Sequence, residues 1–177
     1  MSWLEAWARD GKAPADALQI FDDLPAVLPS EMTGDWRGEE LPSGHAVVGL
    51  LKLYGWLGKR FTDPETVDPL LFKHSRRIVA IDPDMLPLRL ALAVPRLART
   101  NGAVGLFRLV LPLLVTRRPK ARLRTIDCRG RASAAMIYDD QPIIDHFRRV
   151  DQDRLLGLMD LRLTSQPFFF QLTRSAV

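Results

Sequence analysis

Gly34-Asp35-Trp36-Arg37-Gly38, followed directly by Glu39-Glu40-Leu41-Pro42-Ser43-Gly44-His45, is the stretch on which the reading of this chain turns. Two glycines flank a tryptophan. That pattern suits a short strand by which the chain enters a barrel, with the indole sealing one end. On a strand, neighbouring side chains point to opposite faces, so Trp36 and Arg37 diverge. Two readings of Trp36 stand. It is a core plug whose glycines relieve crowding, or it also lines a cavity, where the ring meets an apolar ligand and the indole N–H makes one directional bond. Arg37 either stacks on an aromatic ring at the barrel end or is solvated.

Residues 2–24 read as two helices, the second from Ala13 to Leu24 with Pro14 at its first turn. Pro25 and Pro29 lead into a strand from Met32 to Glu39. Ser43 is a plausible N-cap for a helix from Gly44 to Leu57, although four glycines burden that segment. Arg77–Ile81 reads as a strand. In Leu86–Val94, leucines and Val94 alternate with Pro87, Arg89, Ala91 and Ala93, which predicts a strand. Residues 103–115 predict a short helix ending before Pro112. The last sixty residues predict a meander: Arg122–Arg129, Ala132–Tyr138, Ile143–Val150, Arg154–Arg162 and Phe168–Thr173, with turn residues between them.

The chain has 177 residues, 47% of them apolar, enough for one cored domain. Its net charge of +4 is mild for a nucleic-acid binder, and no nucleic-acid motif occurs, so nucleic acid is not expected as a partner. A single cysteine, Cys128, excludes an internal disulfide and favours a reducing compartment. No apolar run is long enough for a spanning helix, and the N-terminus lacks a secretion-signal pattern. The cytoplasm is the expected location. Nothing in the sequence sets the oligomeric state.

No catalytic signature stands out. His45, His74 and His146 share no zinc-ligand spacing, and no metal or cofactor is expected. In Ile143–Arg149, Ile144, His146 and Arg148 share one strand face, and Ile143, Asp145, Phe147 and Arg149 the other. His146 is the weak catalytic candidate, as an acid–base group at an inward position. Glu39-Glu40 and Asp139-Asp140 do not resemble facing carboxylates. Phe168 and Phe170 share a face opposite Phe169, a core pattern that also suits an apolar chamber. The ligand-binding candidates are Trp36, Tyr54, Trp56, Met136, Tyr138, His146, Phe147, Arg148, Phe168 and Phe170. Between Asp84 and Asp127 there is no acidic residue, while arginines alternate with leucines. That composition suits an anionic lipid surface, so residues 86–124 are a candidate for peripheral membrane contact; a solvated basic face is the plainer alternative.

Gly34–His45, the later Gly55-Trp56-Leu57-Gly58-Lys59-Arg60-Phe61, and Ala134–Asp139 with Pro142–Phe147 together resemble the bacterial GXWXG protein family. Its members pair a GXWXG domain with a C-terminal domain of unknown function, which Leu155–Asp160 and Pro167–Phe170 also resemble. The resemblance spans most of residues 15–174. More weakly, the chain is similar to calycins such as lipocalins and fatty-acid-binding proteins, which implies a barrel around an apolar ligand. The apolar and basic stretch Leu86–Val115 departs from a plain calycin.

The expected fold is mainly β, an antiparallel calycin-like barrel with N-terminal helices and a helical insertion. The expected organisation is an N-terminal helical segment (1–30), the GXWXG region (31–94), an apolar-basic connection (95–118) and a C-terminal meander completing one barrel (119–177). The expected function is non-enzymatic binding of a lipid or other hydrophobic small molecule, with or without an anionic head group. The alternatives are a small isomerase or hydrolase using His146, with Tyr138, Asp145 or Arg148 assisting, a module that docks on a membrane or partner, and a haem-binding variant of the barrel using one histidine.

Overall fold

The computed structural model describes residues 3–175. Two amphipathic helices, α1 (Trp3–Asp10) and α2 (Pro14–Asp23), precede β1 (Gly34–Leu41). A short helix α3 (Leu50–Tyr54) leads to β2 (Trp56–Asp63), β3 (Thr66–His74) and β4 (Arg77–Ala80). Three helices follow, α4 (Leu88–Ala93), α5 (Pro95–Ala98) and α6 (Asn101–Leu114). The chain ends in a five-strand meander: β5 (Ala121–Cys128), β6 (Arg131–Tyr138), β7 (Ile143–Arg149), β8 (Arg154–Leu161) and β9 (Phe168–Arg174).

All strand pairings are antiparallel, in the order β2-β1-β9-β8-β7-β6-β5-β3-β4, and β2 also pairs with β3. That last pairing closes eight strands into a barrel, which leaves the ring with no free edge. The seam is thin where β3 meets β5. Val67 opposite Ala121 is its one ladder pair, reinforced by the Lys120 N–H on the Val67 carbonyl (3.1 Å) and the Leu123 N–H on that of Pro64 (2.8 Å). Beyond the seam, β4 takes over the edge of β3.

Period-two alternation sorts the walls into two cores. Phe168, Phe170 and Leu172 of β9 point inward with Phe147, Met136, Leu123, Trp36 and Phe61. Phe169 points outward, between Trp7 and Phe21 at centroid distances of 5.2 and 6.3 Å. It joins Leu156, Leu158 and Leu41 under α1 and α2, so the N-terminal helices cover one outer wall.

Several expectations change. Within Leu86–Val94 no strand forms, and Leu88–Ala93 is helical: a period-two run of leucines separated by alanine and arginine has high helix propensity, and it places apolar residues all round a helix rather than along one strand face. Gly44–Leu57 is helical only over Leu50–Tyr54. Gly49 and Gly55 hold φ of 86° and 87° and delimit the turn, and Trp56-Leu57 already belongs to β2. The helix of residues 103–115 begins earlier and passes through Pro112 to Leu114, capped by Thr100, whose hydroxyl accepts the Ala103 N–H at 3.3 Å. The hairpin β2–β3 has no counterpart in the sequence reading. The meander agrees with it to within a residue or two at each end.

One end of the barrel is closed from the N-terminal side. Val27 and Met32 join the inner core, the Ala134 N–H donates to the Val27 carbonyl (2.8 Å), and Ser133 Oγ accepts the Val27 N–H (3.0 Å). At this end the Trp36 indole donates to the Met32 carbonyl at 2.6 Å. Arg174 lies over its ring at 4.2 Å and donates to the carbonyls of Thr33 (2.7 Å) and Glu31 (2.8 Å). Arg37 is exposed, so the stacking arginine comes from the last strand instead. The opposite end, where β1 ends and β2, β5, β7 and β9 begin, carries α3 to α6. Leu111, Leu114, Phe107 and Val110 of α6 pack into the inner core there and cap the barrel.

Candidate functional site

Beneath that cap, on the cap-side halves of β2, β6, β7 and β9, an apolar interior holds a charge pair. Lys59 Nζ lies 2.8 Å from Asp145 Oδ2, and both side chains are almost wholly out of solvent. Lys59 points inward because it sits opposite Trp36 in the β1–β2 ladder. Asp145 points inward because it shares a face with Ile143 and Phe147. The ammonium also donates to the Pro69 carbonyl (3.2 Å) and approaches the Tyr138 hydroxyl (3.4 Å). Three rings surround it: Phe170 at 5.0 Å, Trp56 at 5.6 Å and Tyr138 at 5.6 Å from their centroids. Such a cage favours a cation.

The pair is not fully satisfied. Asp145 Oδ1 and the Trp56 indole Nε1 are buried with no hydrogen-bond partner. A buried polar group without a partner costs about 1–3 kcal/mol. One orphan wants a donor and the other an acceptor. Burial pushes the Asp145 carboxyl above its ordinary pKa, and the charge and hydrogen bond of Lys59 pull it part of the way back. Burial, then the Asp145 charge, drive the Tyr138 phenol well above its usual value, so it stays a neutral donor.

Glycines make the cage possible. A Cβ on Gly38 would stand 2.1 Å from Cη2 of Trp56, so the second glycine of the opening motif is the space that the Trp56 ring occupies. A Cβ on Gly157 would likewise meet the Phe170 ring at 2.3 Å.

The sequence candidates separate into three groups. Trp56, Tyr138 and Phe170 touch the pair, while Phe147, Phe168, Met136 and Trp36 belong to the same inner core. Tyr54 belongs to the cap: its hydroxyl donates to the Ala98 carbonyl (2.7 Å) and its ring meets Phe107 edge-on at 4.9 Å. His146 and Arg148 lie on the outer side of β7, where His146 pairs across the ladder with Leu158 of the outer core. His146 is therefore not at the inward position expected of it, because its strand gives that face to Ile143, Asp145 and Phe147. Arg148 is fully buried against the Phe21 ring (4.6 Å) and donates to the Cys128 carbonyl (2.9 Å). Burial lowers the pKa of both groups.

Lys59 is the residue that the sequence reading passed over, and Asp145 entered it only as a group assisting His146. The signal was a carboxylate between Ile143 and Phe147 on an apolar strand face, which requires a buried cation as partner. Of the paired carboxylates, Glu40 turns inward and accepts the N–H groups of Gly49 (3.0 Å), Leu51 (3.3 Å) and Lys52 (2.9 Å), serving the turn that starts α3. Outside the barrel, Asp82–Asp84, Lys120 and Asp140-Gln141 line a shallow notch, too tight to admit a water molecule, that reaches the site's edge at Tyr138. Among the described residues, no three His, Cys, Asp or Glu side chains converge to hold a metal ion. No helix of the described residues is long and apolar enough to cross a membrane.

Residues 19–76 match the family described as GXWXG protein, and residues 119–174 match a domain of unknown function, DUF4334. The crystal structure of a protein from Thermomonospora curvata is similar, with a TM-score of 0.67 and 34% sequence identity over 92% of this chain and 87% of that one. No curated protein matches the chain.

Proposed function

The chain belongs to the GXWXG protein family, and from that premise we propose that its barrel binds a hydrophobic small molecule whose polar end docks on the Lys59–Asp145 pair. The observation that carries this reading is the pair of buried orphans, Asp145 Oδ1 and Trp56 Nε1, beside a charge pair inside an aromatic lining. A purely structural ion pair gains most when every polar atom around it is satisfied. Here a donor and an acceptor are both left over, and a hydroxyl supplies both. The pair already balances its own charge, so a neutral alcohol fits better than a carboxylate, which would meet the free oxygen of Asp145. The apolar body of the ligand would lie among Phe147, Phe168 and Phe170 and take the place of the inward side chains of the cap. The lone thiol supports a reducing compartment, the cytoplasm.

Denaturing extraction of the purified protein followed by mass spectrometry tests the reading, together with titration by retinol, an apolar probe with one hydroxyl, and by retinoic acid. Saturable binding of retinol in preference to retinoic acid is expected, and it is lost in the Lys59→Met/Asp145→Leu double variant. An extract without an apolar molecule, together with no saturable binding of either probe, would refute it.

A second reading rests on the raised pKa of Asp145. A carboxylate held beside Lys59 and the Tyr138 hydroxyl is equipped to take a proton from a carbon next to a bound carbonyl, as in an isomerase. Deuterium incorporation into a bound ketone, abolished by Asp145→Asn, separates this from binding alone.

A further inference from the structure

We propose that the outer face of the α4–α6 cap is a docking surface for an anionic lipid membrane. On α6, Val104, Leu111 and Leu114 turn into the protein, and the opposite side carries Leu106, Leu109 and Leu113 at 61%, 76% and 75% exposure. Their spacing of three and four residues lines them along one stripe. Exposed Leu90 on α4 and Leu97 on α5 extend the apolar surface over the neighbouring helices. Leucines this open, grouped on three consecutive helices, are unusual for a surface in contact only with water.

Charge decides what covers them. Arg89, Arg96, Arg108, Arg117 and Arg118 are exposed on and beside these helices, and none of them forms an ion pair with any described residue. Elsewhere Arg60, Arg122, Arg129 and Arg149 are each held by a carboxylate, and the other unpaired exposed arginines, such as Arg37 and Arg162, do not stand among exposed leucines of one helical layer as the cap arginines do. No Asp or Glu occurs between Asp84 and Asp127 to neutralise the cap. A second copy of this chain would bring the same cations against one another. A bilayer with anionic head groups offers phosphates to the guanidinium groups and acyl chains to the leucines. The cap is firmly joined to the barrel, since the Asp82 N–H donates to the Leu114 carbonyl (2.8 Å) and the Thr116 N–H to the Ala80 carbonyl (3.0 Å). The docked face therefore stands directly over the barrel interior, which places the mouth of the barrel at the membrane.

Co-sedimentation with sucrose-loaded vesicles tests the proposal. The full chain should bind vesicles of phosphatidylcholine with phosphatidylglycerol and leave those of phosphatidylcholine alone largely unbound. Binding should fall by about fivefold for each arginine removed in an Arg89→Gln/Arg96→Gln/Arg108→Gln series, and raised salt should weaken it likewise. The Leu106→Ser/Leu109→Ser/Leu113→Ser variant should lose on the order of a hundredfold or more. Its thermal unfolding should stay close to wild type, because the replaced side chains face away from the core. The Lys59→Met/Asp145→Leu variant should keep full vesicle binding, so the two proposals fail independently. Equal binding to both vesicle types, or to neither, would overturn the inference. So would a dimer in sedimentation velocity that the leucine variant dissolves, which would make this face a protein interface.

Discussion

Replacing Lys59 with methionine removes the cation and leaves nearly the same volume in the barrel. Asp145 then remains buried beside three aromatic rings without its 2.8 Å partner. Breaking a buried pair in this way costs about 3–5 kcal/mol, a large share of the roughly 5–15 kcal/mol that holds a domain folded. With a urea m-value on the order of 2 kcal/mol/M, the unfolding midpoint at pH 7 should drop by roughly 2 M. The pH dependence gives a second signature. Burial holds the folded-state pKa of Asp145 above its unfolded value. Such a carboxyl keeps its proton in the folded chain over a range where the unfolded chain has lost it. Its contribution to stability is therefore present at low pH and falls as pH rises from the ordinary carboxylate range through the folded pKa. Without Lys59 that pKa moves higher still, and the fall becomes longer and steeper. The cost of Lys59→Met should thus shrink as pH approaches about 4. Adding Asp145→Leu should restore stability at pH 7 to within about 1 kcal/mol of wild type, because the uncompensated charge is gone. A single variant within about 1 kcal/mol of wild type at pH 7, with no pH dependence in the difference, would show that Lys59 does not hold the Asp145 charge in the barrel.

Gly38→Ala should cost about 1–3 kcal/mol, since its Cβ would fall inside the Trp56 ring. In the background of Trp56→Leu most of that cost should vanish, and additive urea midpoints would contradict the packing account. Arg174→Ala should cost about 1–2 kcal/mol through the lost contact with Trp36 and two carbonyl bonds; it should also speed hydrogen exchange of the Trp36 indole, measured by NMR. Glu40→Ala leaves three N–H groups at the start of α3 without their acceptor and should cost about 1–3 kcal/mol. Unchanged amide exchange at Leu51 and Lys52 would contradict that role.

The meander was legible because turn residues recur about every ten positions, at Arg129-Gly130-Arg131, Asp139–Pro142, Asp151–Asp153 and Thr164–Pro167, and separate its apolar runs. The β2–β3 hairpin was not legible, because Trp56-Leu57-Gly58-Lys59 breaks alternation. Gly58 and Lys59 are both buried, and the β2–β3 ladder shifts register on either side of Gly58. A helix reading of Gly44–Leu57 then absorbed the start of β2. That one irregularity also hid the site, since Lys59 faces the barrel only once the ladder sets it opposite Trp36. Asp145 was placed on the correct strand face by alternation alone, but its partner comes from a strand more than eighty positions earlier, and such a pairing leaves no local trace. The leucine run 86–94 misled for a different reason: its period of two describes a helix with apolar residues on all sides, some of which stay in the open.

We propose that the Lys59–Asp145 pair organises the barrel interior as a ligand site. Retinol titration followed by tryptophan fluorescence, on the wild type and on the Lys59→Met/Asp145→Leu variant side by side, tests it most directly. Saturable quenching in the wild type, absent from a double variant with an unaltered far-UV spectrum and an unfolding midpoint within about 0.5 M of wild type, is the result expected. Equal quenching in both proteins, or in neither, would contradict the account.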